Sequence, residues 1–257
     1  MIEIALIIAF IGSLTAGVLD LKTTEFPDDI PYLMIALGIF IWYIYAMTFG
    51  DFLPLFLSLT IGLIFGAIGW IAYKTGAWGD GDSAILTAIV FLVPSLAFLI
   101  SYLMNMLIVA VIYLVIYSLV LGIKHKILFL EELKSNFRYI VTYLIMLPFA
   151  IIASYTFNFW MFSIIWALGF AMILFILYAK KIEKNVFKKR IPASQIKAGD
   201  VLASSRQWVG ITEEEAEKIH KNLKFVEIKE GVRFTIVFPL AIIVTLLFGN
   251  ILFLILA

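Results

Sequence analysis

Long, nearly uninterrupted apolar runs constrain this chain more than any other feature. They cover residues 2–19, 32–49, 54–73, 84–123, 139–178 and 234–257. A helix rises about 1.5 Å per residue and the hydrocarbon layer is about 30 Å thick, so about 20 apolar residues make one span. No water-soluble core of this size could hide so much apolar surface. Hydrophobic residues fill 63% of the 257 positions and charged residues 14%, against about half and about a quarter in soluble domains. The chain therefore reads as an all-α polytopic membrane protein. Its first apolar run lacks a basic leader and a small-residue cleavage pattern and runs into a charged loop, so it is read as the first spanning helix rather than a cleaved signal.

The fourth and fifth runs are about twice the length of one span. Each is predicted to be a helical hairpin, the first turning near residues 102–106 and the second near 155–160, which gives about eight transmembrane helices. The alternative is six, with each long run a single helix. Charge placement favours eight, because Lys and Arg accumulate in short cytoplasmic loops. With the N-terminus outside, the cytoplasmic segments are residues 20–31, 74–82, 124–138 and 180–233, and all 19 Lys and Arg residues fall within them. Six spans would put residues 124–138 outside. The expected organisation is a transmembrane core over 1–179, a cytoplasmic soluble segment over 180–233 and a C-terminal transmembrane helix over 234–257, in the cell membrane.

The soluble segment opens on Lys180, Lys181, Lys184, Lys188, Lys189 and Arg190, a basic run expected to meet anionic membrane lipids. Thr212 before Glu213, Glu214 and Glu215 predicts a capped amphipathic helix over residues 212–224. Residues 200–204 and 224–228 are short enough for strands. The segment is thus a small α+β unit before the last helix.

The chain has no cysteine, which excludes disulfides, thiolate metal sites and cysteine nucleophiles. His125 and His220 lie in different loops without ligand-like spacing. No metal, cofactor or nucleic-acid partner is implied. Acidic residues at the ends of apolar helices stand out instead: Asp20 closes the first helix, and Gly79-Asp80-Gly81-Asp82 opens the fourth. Ionisable groups near membrane depth are costly and mark functional candidates, although an Asp before an apolar helix also serves as an ordinary cap. Gly79 and Gly81 around Asp80 allow close backbone access, and small residues (Gly12, Ser13, Ala16 and Gly17 in the first helix; Gly62, Gly66 and Gly69 in the third) allow close helix packing. If Asp20 and Asp82 meet, they share a proton, since neighbouring carboxylates do not both ionise readily. One then acts as base toward a water attacking a peptide carbonyl, and the other as acid.

These residues resemble a known family. An Asp followed by a basic residue in a short cytoplasmic loop (Asp20-Leu21-Lys22), then Phe26-Pro27-Asp28, then a G-x-G-D element at the fourth helix (Gly79-Asp80-Gly81-Asp82) is similar to the type IV prepilin peptidases, and among them the archaeal preflagellin (archaellin) peptidases. The Gly199-Asp200-Val201-Leu202, Gly210 to Glu215 and Lys229-Glu230-Gly231-Val232 stretches resemble the soluble region of archaeal members. The resemblance implies a membrane aspartic endopeptidase with Asp20 and Asp82 as the catalytic pair and Asp80 at a free position of the motif. Its substrates would be preflagellin- or prepilin-like precursors, cut at the cytoplasmic face to remove a short basic leader ahead of an apolar helix. Glu25, Asp28, Asp29 or the acidic run Glu213 to Glu217 are candidates to receive the leader's cations. Phe26 stands where Ile is usual, Thr24 lacks a charge sometimes seen there, and Val232-Arg233-Phe234 lacks an expected proline. With neither cysteine nor room before Asp20, the expectation is a peptidase without N-methyltransferase activity.

Two other readings use similar residues. An intramembrane protease of the presenilin and signal-peptide-peptidase type also carries a G-x-G-D aspartate, but Asp20 follows Leu19 rather than a tyrosine, the pair comes from the first and fourth helices, and the last helix offers Phe238-Pro239-Leu240 in place of Pro-Ala-Leu. A proton- or ion-coupled transporter also needs membrane carboxylates, but commonly near mid-span and within internal repeats.

Overall fold

The computed structural model describes residues 1–127, 129, 131, 134, 136–156, 161–205 and 210–256. They form two compact units, residues 1–113 with 190–257, and residues 114–189. In the first unit, helices α1 (Ile2–Thr23), α2 (Asp29–Phe49) and α3 (Leu53–Lys74) all pack on α4 (Asp80–Leu92). Helix α4 is buried at every position from Ile85 to Leu92. At about 1.5 Å per residue its 13 residues reach about 20 Å, short of a hydrocarbon core about 30 Å thick.

A helix that stops at such depth leaves carbonyls that neither water nor lipid can satisfy. Neighbouring helices supply the donors. The Ser58 hydroxyl of α3 donates to the Phe91 carbonyl at 2.6 Å, and the Trp42 indole of α2 donates to the Leu92 carbonyl at 3.0 Å. Gly38 of α2 makes this approach possible, because a Cβ there would lie 2.9 Å from the Phe91 carbonyl oxygen.

Helix α4 ends where Pro94 disfavours helical geometry in the residue before it, and Val93 accordingly sits at φ −124, ψ 75. Ser95 then starts α5 (Leu96–Lys124), its carbonyl accepting from the Leu99 N–H at 2.8 Å. The turn of the first hairpin therefore lies at residues 93–95, and the expected position at 102–106 is corrected: Tyr102, Asn105 and Met106 are buried within α5. Hydropathy does not register a break inside an apolar run, whereas a missing N–H does.

Helix α3 is inverted relative to a soluble helix. Its buried residues are Ser58, Gly62 and Gly69, while Phe56, Leu63 and Trp70 are more than 60% exposed. Small residues bring backbones together and large ones face lipid. Gly62 packs on the Phe91 ring and Gly69 on Ser83, both in α4, whereas Gly12 of α1 packs on Met34 of α2 and Gly17 on Ile236. The stripes thus join α3 to α4, and α1 to α2 and to α10 (Val237–Phe248). Helix α10 breaks at Gly249, with φ 64, before α11 (Ile251–Leu256). Asn105 spans the break, donating to Thr245 Oγ1 at 3.0 Å and the Gly249 carbonyl at 2.6 Å and accepting from the Ile251 N–H at 3.1 Å.

The second unit holds the rest of α5 with α6 (Phe137–Ile145), α7 (Leu147–Thr156) and α8 (Met161–Ile182). Tyr143 of α6 packs on Trp166 and Phe170 of α8. Tyr155 lies in the last turn of α7, and residues 157–160, where the second hairpin turn is expected, lie outside the described residues. Five helices among the described residues, with α6 and α7 counted as one, are long and apolar enough to cross a membrane. The chain is an all-α polytopic membrane protein with a small sheet.

That sheet has the order β1-β3-β2, from β1 (Lys188–Pro192), β2 (Val201–Leu202) and β3 (Phe225–Lys229). Strands β2 and β3 are antiparallel, with Val201 opposite Lys229 and Leu202 opposite Ile228. Helix α9 (Glu213–Asn222) carries the expected capping box: the Glu215 N–H donates to Thr212 Oγ1 and the Thr212 N–H to Glu215 Oε2. Ile196, Ile211, Ala216 and Ile228 form its core. Strand β1 was not foreseen; it lies inside the basic run, whose charges point away from any core.

Close packing around α4 sets a stability contrast. Gly38→Ala forces a methyl against fixed backbone and is expected to lower unfolding free energy by about 1–3 kcal/mol. Gly66→Ala meets only the Thr87 methyl at 3.5 Å and is expected to stabilise the helix by up to about 1 kcal/mol. Thermal unfolding of the detergent-extracted protein measures both, and equal effects would contradict this packing.

Candidate active site

Asp20 is placed by the face it shares. The buried positions of α1 are Ala5, Ala9, Ser13, Ala16, Gly17 and Asp20, a stripe at three- and four-residue spacing that turns toward the bundle. Asp20 ends the stripe and is only 6% exposed as a residue. It lies in the last turn of α1, where the helix dipole disfavours a negative charge. Compensation comes from the segment ahead of α10. The Thr235 N–H donates to Asp20 Oδ2 at 3.1 Å, and the Arg233 guanidinium, within electrostatic reach of Asp20, donates to the Leu21 carbonyl at 2.5 Å.

Asp82 lies in the first turn of α4 and is half-buried. It is not the helix cap, because Gly79 occupies that position with an extended backbone. The Asp82 carboxylate turns to the bundle, where Oδ1 accepts from the Thr235 hydroxyl at 2.9 Å. Thr235 thus joins the two aspartates: its N–H donates to Asp20 and its hydroxyl to Asp82, and the same side chain also interacts with Asp20. Gly81 packs against a neighbour: a Cβ there would lie 2.7 Å from the Phe26 ring, so the ring would have to shift. Gly79 is not crowded, since a Cβ would meet only Asp82 Oδ2 at 3.5 Å.

Both aspartates line a cavity of about 730 Å³. Its walls are the loop after α1 (Thr24 to Asp28), the turn from Ala77 to Asp82, and parts of the segment between α8 and α10 at Gly199, Asp200, Val201, Gly210 and Lys229 to Val232. The structure brings Asp20, Gly79, Asp80, Gly81, Asp82, Glu25 and Asp28 to one cavity. Asp29 lies instead in the first turn of α2, and Glu213 to Glu217 lie on α9, none of them in the cavity lining. Asp80 is exposed. His220 contacts the Ile196 carbonyl through Nε2 at 3.1 Å. Among the described residues no group of three His, Cys, Asp or Glu side chains could hold a metal ion.

Sequence reasoning missed Thr235, Arg233 and the cavity carboxylates Asp200 and Glu230. Nothing local marks Thr235, a polar residue near the start of an apolar helix. Asp200 and Glu230 lie in the Gly199-Asp200-Val201-Leu202 and Lys229-Glu230-Gly231-Val232 stretches that carry the resemblance, which was the available signal.

Comparison with known proteins gives one informative match. A preflagellin peptidase of Methanococcus voltae is 32% identical over 95 residues, 37% of this chain. The chain spans about 40% of that relative's length in the match. The match agrees with the resemblance to preflagellin peptidases read from the aspartate motifs. No protein-family model and no solved structure matches.

The absence of native cysteine allows a direct proximity measurement. Asp20→Cys combined with Asp82→Cys is expected to yield, with a short thiol cross-linker, a linked peptide pair detectable by mass spectrometry. Separate labelling of both positions with no linked pair would contradict the shared site.

Proposed function

We propose that the chain is a membrane aspartic endopeptidase that removes a short basic leader from preflagellin- or prepilin-like precursors at the cytoplasmic face. The observation that carries this reading is the joining of Asp20 and Asp82, from different helices, through one threonine at the wall of a cavity. The likeness to a preflagellin peptidase supports the same activity.

The chemistry follows from two neighbouring carboxylates that share one proton. The ionised partner takes a proton from water as the water oxygen attacks the scissile carbonyl, and the protonated partner gives its proton to the developing oxyanion. Collapse of the tetrahedral intermediate breaks the C–N bond: the protonated carboxyl gives its proton to the leaving nitrogen, an intermediate hydroxyl returns a proton to the other carboxylate, and the pair again holds one. The proposal is confined to peptide cleavage and includes no methyl transfer to the new N-terminus.

Charge supports the substrate class. Beside Asp20 and Asp82, the cavity is lined among the described residues by Glu25, Asp28, Asp80, Asp200 and Glu230, and by one basic residue, Lys229. Lys229 Nζ donates to the Ser205 carbonyl at 2.7 Å. An acidic cavity at the membrane edge suits a cationic leader joined to an apolar helix that stays in lipid. The positive-inside distribution of Lys and Arg favours the cytoplasm for this face.

Membranes holding the protein are incubated with a preflagellin-type precursor and loss of the leader is followed by gel mobility. Asp20→Asn and Asp82→Asn are each expected to cut the rate by about 10²–10⁴-fold, with Asp80→Asn retaining cleavage. Unchanged cleavage in either of the first two would falsify the reading. In the same assay Asp28→Asn is expected to raise KM for a basic leader by about two- to fivefold and Asp29→Asn to leave it unchanged; equal effects would remove Asp28 from leader binding.

A further inference from the structure

Thr235 is 2% exposed and gives both of its donors to the two aspartates. Its N–H reaches Asp20 Oδ2 at 3.1 Å across 215 positions of sequence, and its hydroxyl reaches Asp82 Oδ1 at 2.9 Å across 153. Both distances are those of well-formed hydrogen bonds.

The residue is itself immobilised by its neighbours. Gly17 of α1 lies under Ile236, where a Cβ would come 2.8 Å from the Ile236 Cα. Arg233 is held at both ends, its guanidinium on the Leu21 carbonyl at 2.5 Å and its own carbonyl accepting from the Tyr113 hydroxyl at 2.5 Å. On the other side, the Thr235 carbonyl accepts from the Phe238 N–H at 3.2 Å as α10 begins. The segment from Arg233 to Ile236 is thereby clamped to α1 and α5, and Thr235 has one place to stand.

The two donors differ in kind. A backbone N–H can only donate, so it holds Asp20 Oδ2 as an acceptor. A hydroxyl can donate to a carboxylate or accept from a carboxylic acid, so its bond to Asp82 survives a change in protonation. We propose that Thr235 is a positioning residue of the dyad: it sets the spacing of Asp20 and Asp82, and its hydroxyl follows Asp82 through loss and gain of a proton. This rests on the peptidase reading above.

The test uses the full chain in membranes, with the precursor as substrate. Thr235→Val keeps shape and the backbone donor and removes only the hydroxyl. Its kcat is expected to fall about 10²-fold, the cost of misplacing a catalytic group by about 1 Å, with KM unchanged. Thr235→Ser restores the hydroxyl and is expected to restore kcat. A Thr235→Val enzyme with wild-type kcat, a loss confined to KM, or a serine variant as slow as the valine variant overturns the inference. Should Thr235→Val not accumulate, Thr235→Cys is read instead, its weaker donor lowering kcat at constant KM, and an unchanged kcat overturns the inference. Asp20→Asn and Asp82→Asn run in parallel separate the two levels. If they slow cleavage as expected and Thr235→Val keeps wild-type kcat, the inference fails alone; if they leave cleavage unchanged, the peptidase reading fails.

Discussion

A helix of 13 residues does not cross a bilayer, yet α4 is the element on which α1, α2 and α3 converge. Its carbonyl end must be satisfied by protein, because lipid offers no donors. Ser58 and Trp42 meet that need, and the glycine at position 38 lets α2 come close enough to help close the end. Once the far end of α4 is anchored, its near end is fixed as well. Asp82 is delivered to the bundle face one turn into the helix instead of being left to wander on a loop.

Asp20 meets the opposite electrostatic situation. Asp82 occupies the favourable end of a helix dipole and Asp20 the unfavourable one, so the two carboxyl groups begin unequal before they interact. The Thr235 amide and the nearby Arg233 offset the disadvantage at Asp20. Hydrogen bonds to charged groups are worth about 1.5–3 kcal/mol each, so they offset part of the cost of burying this acid. The same short segment therefore closes the site geometrically and eases its electrostatic cost.

Much of this was legible in the residues. Apolar runs marked the membrane class, Thr212 and the three glutamates after it marked the capping box, and the placement of Asp20 and the G-x-G-D element at the ends of apolar helices marked two acids worth bringing together. Pairings were harder. Small residues in α1 and α3 signalled close contact without naming a partner, and Gly17 turned out to face Ile236, more than two hundred positions away. The turn after α4 was misplaced because a count of apolar residues is blind to Pro94. Strand β1 was hidden in a basic run, where lysines suggest solvent and lipid rather than a ladder. Thr235 carried no local mark, since its importance lies wholly in what two distant helices present to it.

That Thr235 stands so late in the chain has a consequence for how the protein is made. Translation delivers both acids before the residue that ties them together, which follows Asp82 by 153 positions. A half-finished molecule in the membrane holds the two acids without the tie between them. If the pair cleaves as proposed, that activity waits until the tie is made.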